Sequence, residues 1–213
     1  MTLSFPMPWS DFAARLPIQS APWTLKRFEE ITWSAGSVPS VSDLADPRWS
    51  VRVTLDVLST AEAVDLQTLL ELHGAAHPFL MHDPERPGPR LDPNGATLGA
   101  ASPSVASIGA DGVSLKGLPA GYVLSRGDLL SIAHGSAGQR GLYVLGETIT
   151  ADGTGVTPVA ATLPRLRSIA AADDPVGLIN PTGLMLVVPG SYDAGEPNGV
   201  IRRGMRFDAV EAW

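Results

Sequence analysis

With 213 residues, 44% of them apolar, the chain can bury a core and is too apolar for wholesale disorder. A net charge of -7 argues against a nucleic-acid grip, which needs a basic face to displace phosphate counterions. The absence of cysteine excludes a disulfide scaffold and a cysteine-held zinc site.

Charged residues make up only 17%, below the usual quarter of a soluble domain. So little charge leaves much neutral surface, either the outside of a compact β protein or surface that a partner covers. The opening stretch MTLSFPMPWSDFAARLP lacks a basic segment and a long apolar run, so it does not read as a signal peptide. No run approaches the roughly 20 apolar residues that span a bilayer.

In chain order, residues 1–22 carry Pro6, Pro8, Pro17 and Pro22 with Trp9 and Phe12. Proline interrupts regular ladders, so this reads as an extended arm with one helical turn around 11–15, capped by Ser10 or Asp11. The arm packs on its own domain or lies on a neighbouring subunit. Trp23–Trp33 reads as a strand, followed by a polar loop of Ser, Pro and Gly. Residues 49–58 (WSVRVTLDVL) read as a second strand, with Val51, Val53, Leu55 and Val57 on one face and Arg52, Thr54 and Asp56 on the other.

Ser59 and Glu62 have capping-box spacing. Ala63, Leu66, Leu69, Leu70 and His73 follow at helical spacing, and Gly74 sits where a left-handed cap belongs. These signals predict a helix over Thr60–His73. A short apolar strand, 78–81, then ends at His82-Asp83-Pro84.

Residues 85–99 (ERPGPRLDPNGATLG) are dense in Pro and Gly and mark an internal boundary. Beyond it short strands are predicted at Ser104–Ile108, 113–115, 129–133, 141–150, 156–159, 176–179, 184–188 and 206–210. Asp111-Gly112 is a tight turn, and Asp152-Gly153 with Gly155 supply another. Strands this short and this closely spaced predict a small barrel or sandwich. The fold class is therefore mainly β: a strand–helix–strand section over 1–85 and a β-rich section over 86–213. The alternation of 206–210 predicts that this last strand returns to the first section.

The candidate chemistry is thin. His73 and His77 are four apart, but Gly74 and Pro78 interrupt a helix there and the glutamate of a zinc HExxH pattern is missing. His82 and Asp83 complete no ligand set. His134 precedes Gly135-Ser136-Ala137-Gly138, a hairpin tip rather than the sharp turn a nucleophilic serine needs. Gly135, Gly138 and Gly141 are not spaced as a phosphate loop. Asp173-Asp174 read as turn acids rather than an opposed catalytic pair. Asp152-Gly153-Thr154-Gly155 offers too few oxygens for a calcium loop. Arg126-Gly127-Asp128 reads as a turn rather than an adhesive tripeptide.

Five segments in succession carry a resemblance. They are Leu124-Ser125-Arg126-Gly127-Asp128, Gly141-Leu142-Tyr143-Val144, Thr150-Ala151-Asp152-Gly153-Thr154-Gly155, Leu163-Pro164-Arg165-Leu166-Arg167 and Asn180-Pro181-Thr182-Gly183-Leu184-Met185. Together they resemble the distal tail proteins of long-tailed, siphovirus-like bacteriophages, which join the tail tube to the tip. Arg48-Trp49-Ser50-Val51, the capped helix, and Leu72-His73-Gly74 leading to Pro78-Phe79-Leu80 resemble the core of such ring-forming proteins. Met205-Arg206-Phe207-Asp208-Ala209-Val210-Glu211-Ala212 is similar to their final strand. The likeness covers most of the chain, is weakest toward the N-terminus, and rests on turns and strand ends.

This resemblance implies a structural subunit, not an enzyme, with no catalytic, cofactor or metal residues to carry over. It implies a ring of copies of itself, commonly six, with the tube protein above and the hub protein below. DNA would pass through without specific binding, and no membrane insertion is implied. The location would be the virion tail tip, after synthesis in the bacterial host cytoplasm. Arms rich in Pro and Trp and edge strands would supply the neutral ring contacts. Some of Asp92, Asp111, Asp173 and Asp174 are expected to line the lumen. The alternative is a host-glycan-binding module, for which Tyr122 and Tyr143 are the aromatic candidates.

Overall fold

The computed structural model describes residues 5–33, 36–73, 77–134 and 139–212. The chain is mainly β, with strand outweighing helix 46% to 10%. Its first sheet is a half-barrel of antiparallel strands in the order Ile18–Ser20, Pro39–Leu55, Arg206–Glu211, Thr182–Val187 and Phe79–His82. Trp23–Trp33 also pairs with Pro39–Leu55. Arg206–Glu211 lies beside Pro39–Leu55 with Phe207 opposite Val53 and Ala209 opposite Val51. Alternate residues of both strands thereby enter one core, in which Val51, Val53, Leu55, Phe207 and Ala209 are all but inaccessible.

The helix Thr60–His73 closes this core from one side through Ala63, Leu66 and Leu70. Its N-terminus is set by the expected reciprocal cap. The Ser59 amide donates to Glu62 Oε2 at 2.9 Å, and the Glu62 amide donates to Ser59 Oγ at 3.3 Å. Gly74, the expected C-terminal cap, lies outside the described residues. Val57 departs from the expected buried face: the strand stops at Leu55, and Val57 is exposed.

The second sheet runs in the order Val176–Gly177, Leu129–His134, Gln139–Leu145, Ala160–Leu163, Gly112–Lys116 and Ser104–Ile108. A bridge between Ser104 and Pro175 brings its two ends together, so the barrel is nearly closed. Closure removes sheet edges that would otherwise seek partners. Gly112 begins a strand where the neighbouring chain comes so close that an added Cβ would fall on the Ala160 carbonyl. That close approach accounts for the glycine in the Asp111-Gly112 turn.

Several expectations change. The predicted strand 141–150 is two strands, Gln139–Leu145 and Ile149–Thr150, separated by a turn. Residues 156–159 form no strand: the Val156 amide is taken by Asp152 and Thr157 bonds to Leu115, and the strand begins at Ala160. Residues 39–48 of the expected polar loop are instead the outer half of a 17-residue strand, Pro39–Leu55. The N-terminal arm, from Phe5 on, packs on its own chain: Met7, Phe12, Ala13 and Leu16 enter the first core, and Met7 bridges to Phe79. Thr182–Val187 joins the first sheet together with the last strand, so the barrel over 104–177 is an insertion between strands of the half-barrel.

Candidate assembly surface

The least satisfied part of the molecule is the long hairpin of Trp23–Trp33 and Pro39–Leu55. Its root is anchored: Trp23 and Leu25 pack with Trp49, Leu129 and Leu142 between the two β units, and Trp49 Nε1 donates to the Leu142 carbonyl at 2.7 Å. Its outer part is bare. From Phe28 to Trp33 and from Pro39 to Asp46 every residue is exposed. At about 3.3 Å per residue, this part projects about 20 Å.

The register fixes its two faces. Trp33 lies opposite Pro39, Ile31 opposite Val41, and Glu29 opposite Asp43. Directly opposed residues share a face, so one face presents Trp33, Pro39, Ile31 and Val41 in a row ending in two acids. Trp33 is 68% exposed, Val41 57% and Ile31 56%. Among the described residues no strand pairs with the outer edge of Trp23–Trp33, nor with residues 39–45 on their far side. An isolated two-stranded ribbon is marginal in water, and an apolar row with open edges on both sides is the surface that another chain completes.

Of the residues singled out for chemistry, the structure brings together His134 and Asp174, at 3.2 Å. His77 stacks on Phe5 with ring centroids 4.2 Å apart, while His82 is buried against Trp9. Burial lowers the His82 pKa. The His73 side chain lies outside the described residues. Asp83 is spent on Arg86 at 2.7 Å and on the Glu85 amide. Among the described residues no group of three or more His, Cys, Asp or Glu is placed to hold a metal. Asp152 Oδ1 accepts from the Thr154 and Val156 amides and the Thr154 hydroxyl, so it builds a turn. In Arg126-Gly127-Asp128 the aspartate is buried, accepting from the Ser125 and Arg90 amides around Gly127 at φ +91°. It is a turn staple and unavailable to a receptor. Ser136, with Gly135 and Gly138, lies outside the described residues.

Of the four expected lumen acids, Asp92 is buried and Asp174 half-buried. Asp92 accepts from the Thr97 and Leu98 amides and from the Tyr122 hydroxyl, and organises the 85–99 segment from inside. Asp174 faces His134 Nδ1 at 3.2 Å. Asp111 and Asp173 are exposed, but each is paired, with Arg165 at 3.2 Å and Lys116 at 2.5 Å. The glycan candidates fail by burial: Tyr122 is 3% exposed and Tyr143 0%.

A buried polar chain was not visible in the sequence. Asp174, His134 and Tyr143 form a line, with His134 Nε2 3.1 Å from the Tyr143 hydroxyl. Burial lowers the His134 pKa against the pull of Asp174, and burial pushes Tyr143 up to about 12. Nearby, buried Glu211 accepts from the Trp49 and Leu142 amides and from Arg167 at 3.4 Å. Burial raises its pKa. Glu211 therefore ties the last strand of the half-barrel to the barrel. A cavity of about 330 Å³ opens beside Arg167, lined by Asp46, Pro47, Arg165 and Ser168. A groove of about 640 Å³ beside the helix, floored by Phe12, Leu16 and Leu66 and rimmed by Asp11, Glu62 and Asp65, gathers no catalytic set.

No protein-family model and no curated protein matches this chain.

Proposed function

We propose that this protein is a structural ring subunit of a bacteriophage tail tip, joining tube to hub around the DNA passage. The single observation that carries self-assembly is the bare hairpin, with its apolar face of Trp33, Pro39, Ile31 and Val41 and its open edges. The second sheet is nearly closed and the described N-terminal arm is tucked into its own core, whereas the hairpin projects with both edges open. The placement at a tail tip rests on the resemblance of the segments quoted above. The net charge of -7 fits a passage that DNA crosses without sticking, and Asp111 and Asp173 are the exposed members of the four acids expected there.

The glycan-binding alternative loses Tyr122 and Tyr143 to burial and is left with Trp33 as its exposed aromatic. Gold-labelled antibody against this chain, applied to purified particles, tests the placement. Label at the distal end of the tail is the expected result. Particles that lack the chain, or carry it on the head, would overturn it.

A further inference from the structure

We propose, on the strength of the ring reading, that the hairpin of one copy docks on the Asn198–Ile201 turn of the next copy, head to tail. Hairpin and turn sit at opposite ends of one strand. The hairpin tip precedes Pro39, while beyond Leu55 the chain runs into Leu58–Ser59. That short strand pairs with Ile201–Arg203, which in turn pairs with Glu196–Asn198. The Thr60 amide donates to the Val200 carbonyl at 2.9 Å, fixing the turn on the start of the helix.

The two ends are complementary. Residues 28–45 contain Glu29, Glu30 and Asp43 and no Lys or Arg. Glu29 and Asp43 lie directly opposite each other on the apolar face, an arrangement that weakens a hairpin standing alone. Arg27 reaches Glu29 at 3.0 Å, and Asp43 has no cation partner among the described residues. At the other end, Val200 is 81% exposed, the highest value among the exposed large hydrophobics of the described residues. Arg202 and Arg203 flank it, with Glu196 opposite Arg203. Arg202 is held by its own chain, its guanidinium donating to the Ala194 carbonyl at 3.4 Å, whereas Arg203 is exposed.

In the docked pair Ile31 and Val41 cover Val200 and Ile201, and the Glu29/Asp43 pair meets Arg203. A contact between two different patches is heterologous. It repeats from copy to copy and closes into a ring when the rotation permits.

Charge exchange tests this. One variant carries Glu29→Lys and Asp43→Lys, the other Arg203→Glu. All three sites are exposed, and the thermal midpoint of each variant serves as the folding control. Assembly is followed by native mass spectrometry and sedimentation. Wild type is expected to assemble, each variant alone to assemble at least tenfold more weakly, and an equimolar mixture to recover assembly with the two variants alternating. If wild type and both single variants assemble equally, or the mixture gains nothing, the docking is wrong while the ring stands. If wild type itself never assembles, the ring reading falls and the docking falls with it.

Discussion

Glu211 shows how a residue can be essential without being chemical. It is 1% exposed and holds two backbone amides and Arg167. Removing one member of a buried ion pair leaves the other charge stranded in low dielectric. Arg167→Ala is therefore expected to cost about 3 kcal/mol at pH 7, read by urea unfolding. Because burial raises the Glu211 pKa, the loss should shrink as pH falls and the stranded carboxylate takes up a proton. A loss independent of pH would contradict this.

His82 and His134 act in the opposite direction. Burial lowers both pKa values, so the unfolded chain binds more protons between the folded value and the unfolded value of about 6.5. Their contribution to stability is complete above that unfolded value and is lost as pH falls through the window below it. The thermal midpoint should drop as pH falls below about 6.5. His134→Gln should flatten part of that slope; an unchanged slope would contradict the assignment.

None of this network could be read from the chain. Its partners are tens of residues apart, as with His134 and Asp174, and Asp173-Asp174 look alike in sequence although one is exposed and the other faces a buried ring.

At the scale of elements, the local signals were the legible ones. The helix Thr60–His73 has the expected bounds because its cap and its apolar stripe are both encoded within a few residues. Ser59→Ala should cost about 1 kcal/mol by removing that cap, measured by chemical denaturation. Strand 51–55 and the Asp111-Gly112 turn were legible for the same reason, by alternation and by turn residues.

The outer strand 39–48 was not. Pro39, Ser40, Ser42, Asp43 and Asp46 are poor strand formers, and no face of this stretch is covered by its own chain, so no burial pattern marks it. The faint signal was the apolar set Val38, Val41 and Leu44 inside a nominal loop. Since Ile31 and Val41 are exposed and directly opposed, the oppositely charged pair Ile31→Lys with Val41→Glu should leave the monomer's stability within about 0.5 kcal/mol. The same change should abolish self-association. A large fall in thermal midpoint would instead mean that the hairpin serves its own fold.

For the whole molecule, the architecture is an insertion. A half-barrel receives strands from both chain ends, the barrel over 104–177 is threaded between them, and Glu211 with the Trp49 cluster joins the two. The mainly β class followed from short, regularly spaced strands. The return of Arg206–Glu211 to the first sheet followed from its alternation. The addition of Thr182–Val187 to that sheet did not, because an apolar run fits either core equally well. What distinguishes the molecule is where unfilled surface remains: on a projecting hairpin at one end and on an arginine-bearing turn at the other.

The most direct test of self-assembly is the mass of the purified protein under native conditions, paired with electron-microscope projections down the particle axis. A single closed species of defined copy number, annular in projection with an open centre, is the predicted result. A 22.3 kDa monomer that persists at every concentration, with no annulus alone or in purified tails, would contradict it.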